Sequence, residues 1–220
     1  MYSFSIQGEK MLSNSVLEGL RQEILSGFIP PGAVLLQSQI AKRFDVSRIP
    51  VRDALAILAV EKLVVTTPNN GARVVQLSIE ELTEIYDLRI TLETLCIAEA
   101  VGQASSTQME DITYHLQLSN IEANRSGWAK SDWNFHKALY APANKPHHVR
   151  IIHELRQLCH IHIKQYGDLC ENTDHWLDQH GQIVKAFEGR DRETCCALIE
   201  THIRDARDLL IRAATDNDLA

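Results

Sequence analysis

One stretch of the chain combines the pattern of an amphipathic helix with two arginines: Val46–Leu55, which reads VSRIPVRDAL. Four apolar residues fall at the spacing of one helical face, namely Val51, Ala54, Leu55 and Leu58. Arg48 and Arg52 lie four residues apart, so a helix would stack them on its opposite side. Ser47 is suited to the N-cap, and Pro50 is tolerated within the first turn. Such a helix can present its guanidinium groups to a DNA major groove, although an ordinary surface helix would show the same pattern.

The segments on either side of this helix favour a DNA-binding domain. The sequence predicts a helix from Ser15 to Gly27 and another over residues 38–44, which a tight turn joins to the arginine-bearing helix. That order is a helix-turn-helix. Downstream, residues 63–67 and 72–75 are rich in β-branched side chains, and the intervening Pro68–Gly71, PNNG, predicts a hairpin turn. A hairpin in this position forms a wing, which can contact the DNA backbone or the minor groove.

The remainder of the chain predicts a helical bundle. Ser78 and Glu81 have the spacing of a capping box, and the helix that they begin carries one apolar face as far as Ala100. Five further helices are predicted, over Gln108–Ala123, Trp128–Tyr140, His147–Leu169, His175–Glu188 and Arg192–Ala213. The fold class is therefore mainly α, with an N-terminal winged helix-turn-helix followed by an all-α antiparallel helical bundle.

The charge of the chain is unevenly distributed. The net charge is −7, but up to Leu77 there are 8 Lys and Arg against 6 Asp and Glu, whereas the rest has 14 against 23. A weakly basic part joined to an acidic remainder indicates that DNA contact is confined to the first part. No apolar run of eighteen residues occurs, and Met1–Lys10 lacks the basic-then-apolar order that a signal peptide would show. The five cysteines include no C-x-x-C pair. We therefore expect a cytoplasmic protein with reduced thiols and no membrane partner.

Residues 16–75 resemble the DNA-binding domain of the GntR family of bacterial transcription regulators. The shared positions are Pro31-Gly32, Leu35, Ile40-Ala41, the pattern VSRxPVRxALxxL from Val46, Glu61, Leu63-Val64, Gly71 and Val74. In that family the residues that match Arg48 and Arg52 touch DNA, and the wing glycine lets the backbone approach it. The sequence departs from the family at Gln37, which is usually Glu, at Lys62, which is usually Gly, and at Asn69-Asn70, which is usually a basic pair. The resemblance implies DNA contacts by Gln37, Ser47, Arg48, Arg52, Asn70 and Gly71.

Three predicted helices of the bundle carry ionisable residues within apolar stripes. Asp132 and His136 lie four residues apart, His180 shares a stripe with Ile183 and Phe187, and His202 lies in line with other apolar residues of the last helix. A buried charge or imidazole is costly without a partner, and one divalent metal ion would satisfy all four side chains. Three nitrogens and one carboxylate suit zinc or nickel. The alternative for each histidine is an ordinary core or surface side chain.

Residues 78–214 are similar to the all-helical effector domain of the FadR-like branch of the same family, the type called FCD. The pattern Asp-x-x-Phe-His, followed by one His in each of the last two helices, is matched by Asp132, His136, His180 and His202. In that branch these residues hold a metal, and a small carboxylate effector lies against it. Arg89 is positioned to pair with such a carboxylate, although a salt bridge to Glu93 four residues on is an equal alternative.

These features predict a ligand-responsive transcription regulator rather than an enzyme. We expect a mobile arm at 1–12, a winged domain at 13–76, and a metal-binding, effector-binding and dimerising domain at 77–216. A homodimer would bind near-palindromic operator DNA as a repressor that a small carboxylate metabolite releases. A regulator that senses the metal itself is an alternative, and a metallohydrolase is a remote one.

Overall fold

The computed structural model describes residues 2–67, 71–123, 125, 127–165 and 173–218. The chain divides into two compact units. The first contains the described residues up to Leu77 together with His160–Gln165, and the second contains those of Ser78–Cys159 and of 173–218. None of the helices in these ranges is long and apolar enough to cross a membrane.

The described residues form helices and one small sheet. In chain order the elements are α1 (Tyr2–Leu25), β1 (Val34–Leu36), α2 (Gln37–Phe44), α3 (Arg48–Val60), β2 (Val64–Thr67), β3 (Gly71–Val74), α4 (Ile79–Gln103), α5 (Ser106–Glu122), α6 (Trp128–Tyr140), α7 (Pro146–Gln165), α8 (Thr173–Glu188) and α9 (Arg192–Asp218). A short 3-10 turn at Ala141–Ala143 follows α6.

The first unit is the predicted winged helix-turn-helix. The apolar stripe of α3 is buried, with Val51, Ala54, Leu55 and Leu58 each no more than 2% exposed, and α3 packs against α1. Leu20 and Ile24 of α1 complete this core with Leu63. The same spacing that predicted an amphipathic helix therefore fixes α3 to the unit by one side.

Helix α1 begins earlier than its sequence predicts. The expected start at Ser15 is wrong, because the helix already runs from Tyr2. Serine inside a helix costs only about 0.5 kcal/mol relative to alanine, so a capping residue does not stop a helix that is already propagating. The prediction that 1–12 is a mobile arm is not decided by this helical backbone and stays a prediction.

The wing is a three-stranded antiparallel sheet in the order β1-β3-β2. The predicted hairpin pairs Val64 with Val74 and Thr67 with Gly71. Strand β1, which pairs Val34 with Arg73, is absent from the sequence-based expectation because three residues are too few to show an alternating pattern. The added strand leaves β3 in the middle of the sheet, where its backbone is paired on both sides.

The second unit is the predicted helical bundle, built from α4 to α9, with α7 contributing its residues up to Cys159. Helix α4 packs on α9, α5 on α6, and α8 on both α5 and α9. The capping box at its beginning is confirmed: the Ser78 hydroxyl accepts from the Glu81 amide at 3.2 Å, and the Glu81 carboxylate accepts from the Ser78 amide at 2.8 Å. Tyr86, Ile97, Phe135 and Phe187 are among the largest side chains of its core.

Candidate functional site

Helix α3 exposes the arginines that the sequence singled out. Arg48 is its first residue, and Arg52 lies one turn later with its side chain 67% exposed. Ser47 occupies the N-cap position with extended backbone, and its side chain caps no amide in the described part of the chain. The polar face of α3 is therefore available for a partner, as a recognition helix requires.

The turn before α3 depends on a left-handed residue. Asp45 has φ +53° and ends α2, and the amide of Val46 donates to the carbonyl of Ala41 at 3.0 Å. Asp and Asn adopt this conformation more readily than most residues, because their short polar side chains can hydrogen-bond locally. The turn thus connects α2 and α3 through three residues, 45–47.

The other predicted DNA contacts have different surroundings. Gln37 is the first residue of α2 and is half-buried. Asn70 lies outside the described residues. Gly71 is buried in the sheet, where an added Cβ would come 2.9 Å from the carbonyl oxygen of Leu35. Sheet packing is therefore sufficient to explain this glycine, and its contact with DNA stays a prediction.

The second unit brings the three predicted histidines together. His136 lies on α6, His180 on α8 and His202 on α9, and all three are buried. Their ring centroids are 4.8–5.3 Å apart, and one nitrogen of each ring lies within 4.8 Å of the others. We call these side chains, together with Asp132, the histidine cluster.

Asp132 lies at the edge of the histidine cluster. Its Oδ1 atom is 3.7 Å from Nε2 of His136 and 3.6 Å from Nε2 of His180. These distances are too long for hydrogen bonds. Among the described residues, Nε2 of His136 and both ring nitrogens of His180 have no hydrogen-bond partner. Buried polar atoms without partners are costly and call for an explanation.

A divalent metal ion fits this arrangement. Burial is the main reason that the pKa values of His136 and His202 lie well below the usual range and that of His180 falls to about 4. The imidazoles are therefore neutral at pH 7, which is the form that binds metals. Neighbouring ligands of one such ion lie about 3–3.5 Å apart when each bond is about 2.0–2.2 Å long. Small movements of Asp132 and the rings would reach that spacing.

A network of buried charges lies beside the histidine cluster. Arg89 Nε donates to Glu93 Oε1 at 2.8 Å, which is the salt bridge that the sequence offered as the alternative to an effector contact. Arg156 donates to Glu93 Oε2 at 3.2 Å and to Asp132 Oδ2 at 2.5 Å. Burial alone would raise the pKa of the Glu93 carboxyl, but Arg89 and Arg156 outweigh it and hold that pKa below its usual value.

Sequence reasoning missed Arg156, although the signal was present. Ile152 and Cys159 lie four residues before it and three after it, and both are buried. Arg156 therefore interrupts an apolar stripe of α7 as Arg89 interrupts that of α4. The side chains behind the imidazoles were also missed. The Tyr140 hydroxyl lies 3.2 Å from His136 Nδ1, and Gln179 Oε1 lies 2.8 Å from His202 Nδ1.

A winged helix-turn-helix with exposed arginines, joined to a helical unit, defines a DNA-binding regulator. The model for bacterial regulatory proteins of the gntR family matches residues 12–74, and the model for the FCD domain matches residues 84–205. The chain belongs to the GntR family of transcriptional regulators and carries an FCD domain. The prediction of that family is confirmed.

Known proteins similar to this chain are regulators rather than enzymes. The gluconate operon transcriptional repressor of Bacillus licheniformis is 28% identical over 197 residues, which cover 86% of this chain and 80% of the repressor. The HTH-type transcriptional repressor GlaR of Escherichia coli K12 is 25% identical, with 90% and 95% covered. The crystal structure of a GntR transcriptional regulator from Rhodococcus sp. RHA1 has a TM-score of 0.77 at 24% identity, with 91% and 98% covered, and supports the fold. The metallohydrolase alternative is excluded by these findings.

Proposed function

We propose that the protein is a repressor that leaves its operator when a small carboxylate metabolite binds at a metal ion in the histidine cluster. The observation that carries this proposal is the set of three neutral, buried imidazoles in the FCD domain, of which His136 and His180 have ring nitrogens without a hydrogen-bond partner among the described residues. The names of two relatives support the direction of regulation, since both are repressors. One of them controls an operon named for gluconate, which is a carboxylate.

The exposed face of α3 would bind DNA. In a homodimer, two copies of Arg48 and Arg52 would enter successive major grooves about 34 Å apart. An arginine fork can read a guanine edge bidentately or clamp a phosphate. Gln37 and Ser47 lie near the beginnings of α2 and α3, from which they would contact the phosphate backbone, with Asn70 and Gly71 of the wing beside the minor groove.

The metal would be held by Asp132, His136, His180 and His202. Three nitrogens and one oxygen suit zinc or nickel, and positions left open would be available to the effector. A bound divalent ion supplies a Lewis acid to which a carboxylate can attach. Binding changes the affinity for DNA only if the effector favours one of two states of the protein.

Arg89 would contribute to effector binding by sharing its guanidinium group. Its Nε atom is engaged by Glu93, and the group has further N–H donors. A carboxylate at the metal would compete with Glu93 for the Arg89 guanidinium group as a whole. Arg156, which contacts both Glu93 and Asp132, would then balance the charge of Glu93. The effector contact of Arg89 therefore requires the buried charges to rearrange.

The first experiment is elemental analysis with native mass spectrometry on wild type and on His180→Ala. His147→Ala is the matched control, because that histidine is exposed on α7. We expect close to one zinc or nickel per chain in wild type and in the control, and loss of the metal in His180→Ala. Wild-type protein that binds no metal after incubation with either ion would overturn the carboxylate-on-metal mechanism.

The second experiment separates effector sensing from metal sensing. DNA fragments selected from genomic DNA supply the operator, and fluorescence anisotropy measures its affinity with zinc alone and with zinc plus D-gluconate, citrate or uncharged glucose. Release by a carboxylate and not by glucose supports the proposal. Affinity that follows the free metal concentration and ignores every carboxylate would establish the metal-sensing alternative instead.

A further inference from the structure

We propose that Tyr140 and Gln179 are positioning residues that fix His136 and His202 in the tautomer with the proton on Nδ1. This tautomer leaves Nε2 of each imidazole with a free lone pair. The inference rests on the proposed metal site and assigns the side chains that prepare two of its ligands before the ion arrives. Such outer partners orient ligand rings and raise their basicity.

The chemistry of Tyr140 determines where the His136 proton lies. The Tyr140 hydroxyl donates its single proton to Glu93 Oε2 at 2.6 Å, and its oxygen lies 3.2 Å from His136 Nδ1. A carboxylate can only accept, so the hydroxyl proton must point at Glu93. The tyrosine oxygen can then only accept from His136, which places the imidazole proton on Nδ1. The other nitrogen, Nε2, is the one without a partner in the described part of the chain.

Glu93 fixes the direction of the hydrogen bond that Tyr140 makes. Arg89 and Arg156 donate to its two oxygens, and the residue is fully buried. Two guanidinium groups stabilise the charged carboxylate, which therefore accepts from Tyr140 and does not donate to it. Donation therefore converges on Glu93: the two arginines donate to it directly, and His136 donates to the Tyr140 oxygen, whose own proton goes to Glu93.

Gln179 fixes the tautomer of His202 through its side-chain amide. Its Nε2 amide donates to Asp205 Oδ2 at 2.7 Å, and its Oε1 lies 2.8 Å from His202 Nδ1. Because Asp205 accepts only, the amide nitrogen must face the carboxylate and the amide oxygen must face the imidazole. His202 Nδ1 therefore carries the proton, and its Nε2 is left to bind the ion.

His180 provides a contrast within the same cluster. Neither of its ring nitrogens has a hydrogen-bond partner among the described residues. Nothing comparable to Tyr140 or Gln179 selects its tautomer there. Two ligands of the proposed site are thus prepared by hydrogen bonds, whereas the third packs against Phe135, with 4.6 Å between ring centroids, and lies 3.6 Å from Asp132 without a hydrogen bond.

The test is a nuclear magnetic resonance measurement on the metal-free full-length protein at neutral pH. Long-range nitrogen–proton correlations of ¹⁵N-labelled histidine distinguish the two tautomers. We expect Nδ1–H for His136 and His202 in wild type. Tyr140→Phe should change the spectrum of His136 alone, and Gln179→Leu that of His202 alone. This readout needs no metal and no DNA, so it is independent of the proposed function.

Metal affinity is the second readout. Zinc binding measured by calorimetry should weaken about 10- to 100-fold in Tyr140→Phe and in Gln179→Leu. The matched controls are Tyr114→Phe and Gln182→Leu, which alter exposed side chains on α5 and α8 and should bind zinc as wild type does. Circular dichroism and thermal unfolding establish that each variant is folded.

Three outcomes would count against these assignments. Nε2–H imidazoles at His136 and His202 in wild type would overturn the tautomer assignment without any variant. Folded variants that retain wild-type zinc affinity would overturn the positioning role. Wild-type protein that shows the Nδ1–H tautomers and binds neither zinc nor nickel would overturn the proposed metal site, and with it the role of both residues toward a metal.

Discussion

Nη2 of Arg156 lies 2.5 Å from Oδ2 of Asp132, so the carboxylate proposed as a metal ligand is already held by a cation. Arg156 also contacts Glu93, and the Arg156 side chain is only 13% exposed. Removing one partner of a largely buried charged pair leaves the other without compensation. The stability of the metal-free protein therefore depends on Arg156, whereas a bound cation would itself neutralise part of the negative charge of Asp132.

This relationship predicts that Arg156→Met is rescued in part by metal. We expect the variant to lose about 2–3 kcal/mol of unfolding free energy in a chelator, because hydrogen bonds between charged groups are broken. Zinc should restore more stability to the variant than it adds to wild type, since it neutralises Asp132. Thermal unfolding with chelator and with zinc measures both. Arg150→Met is the control, because Arg150 and Glu154 form an exposed pair on the same helix that contributes little. Equal zinc stabilisation of Arg156→Met and wild type would contradict the prediction.

Lys62→Gly is expected to stabilise the winged unit. Lys62 follows the end of α3 with φ +60°, where its amide donates to the Ala59 carbonyl at 3.1 Å. This conformation costs a residue with a Cβ about 1–2 kcal/mol of folding stability. Glycine avoids that strain, but its greater conformational freedom in the unfolded chain costs about 0.5–1 kcal/mol on folding. We therefore expect a net gain of about 0.5–1 kcal/mol in urea unfolding. Lys62→Ala keeps the strain and should show no gain; if it gains as much as Lys62→Gly, the backbone is not the cause.

Gly71→Ala should destabilise the wing whether or not DNA is present. An added Cβ would come 2.9 Å from the backbone oxygen of Leu35, so the sheet must shift at a cost of about 1–3 kcal/mol. Zinc binding to the helical unit should be unchanged. Gly102→Ala on α4 is the control, since its Cβ would meet nothing within 4 Å and a helical alanine should add about 0.5–1 kcal/mol. Unchanged stability with weaker DNA binding would instead assign Gly71 to the DNA contact.

Arg48→Ala and Arg52→Ala should separate DNA binding from stability. Both side chains lie on the exposed face of α3, so thermal unfolding should change by less than about 0.5 kcal/mol. Loss of a bidentate base contact costs about 1–3 kcal/mol, which corresponds to roughly 5- to 150-fold weaker operator binding by fluorescence anisotropy. Arg125→Ala removes the same charge from an exposed position in the helical unit and should leave operator affinity unchanged. Wild-type affinity in both α3 variants would rule out α3 as the recognition helix.

The fold and the histidine cluster were largely accessible from the sequence because both depend on spacing within single helices. The apolar stripe of α3 and the interval between Asp132 and His136 are periodic features that a helix converts directly into a shared face. The resemblance to the FCD domain then related these two residues to His180 and His202 on other helices. A periodic pattern of this kind predicts which side chains face inward, but it does not predict their hydrogen-bond partners.

The partners of the cluster were not accessible in the same way. Tyr140 and Gln179 reach their imidazoles through rotamers and helix registers that no one-dimensional spacing specifies. Arg89 was correctly placed on an inward stripe, but whether it faces Glu93 or an effector depends on energies of buried charges. Strand β1 was missed because three residues are too few to show an alternating pattern and because its partner β3 lies far along the sequence.

The metal-free protein should lose stability as the pH falls from about 6.5 towards 4. Burial lowers the pKa of His180 to about 4, with Asp132 opposing that shift and Arg156 adding to it. Between those pH values the unfolded chain binds a proton that the folded chain does not, so the free energy of unfolding decreases as the pH drops. His136 and His202, whose pKa values are also lowered by burial, should act in the same direction. Urea unfolding in a chelator at several pH values measures the slope. His180→Gln should reduce this slope, whereas His147→Gln, at an exposed position, should not. If His180→Gln leaves the slope unchanged, His180 is not neutral and buried in the metal-free protein.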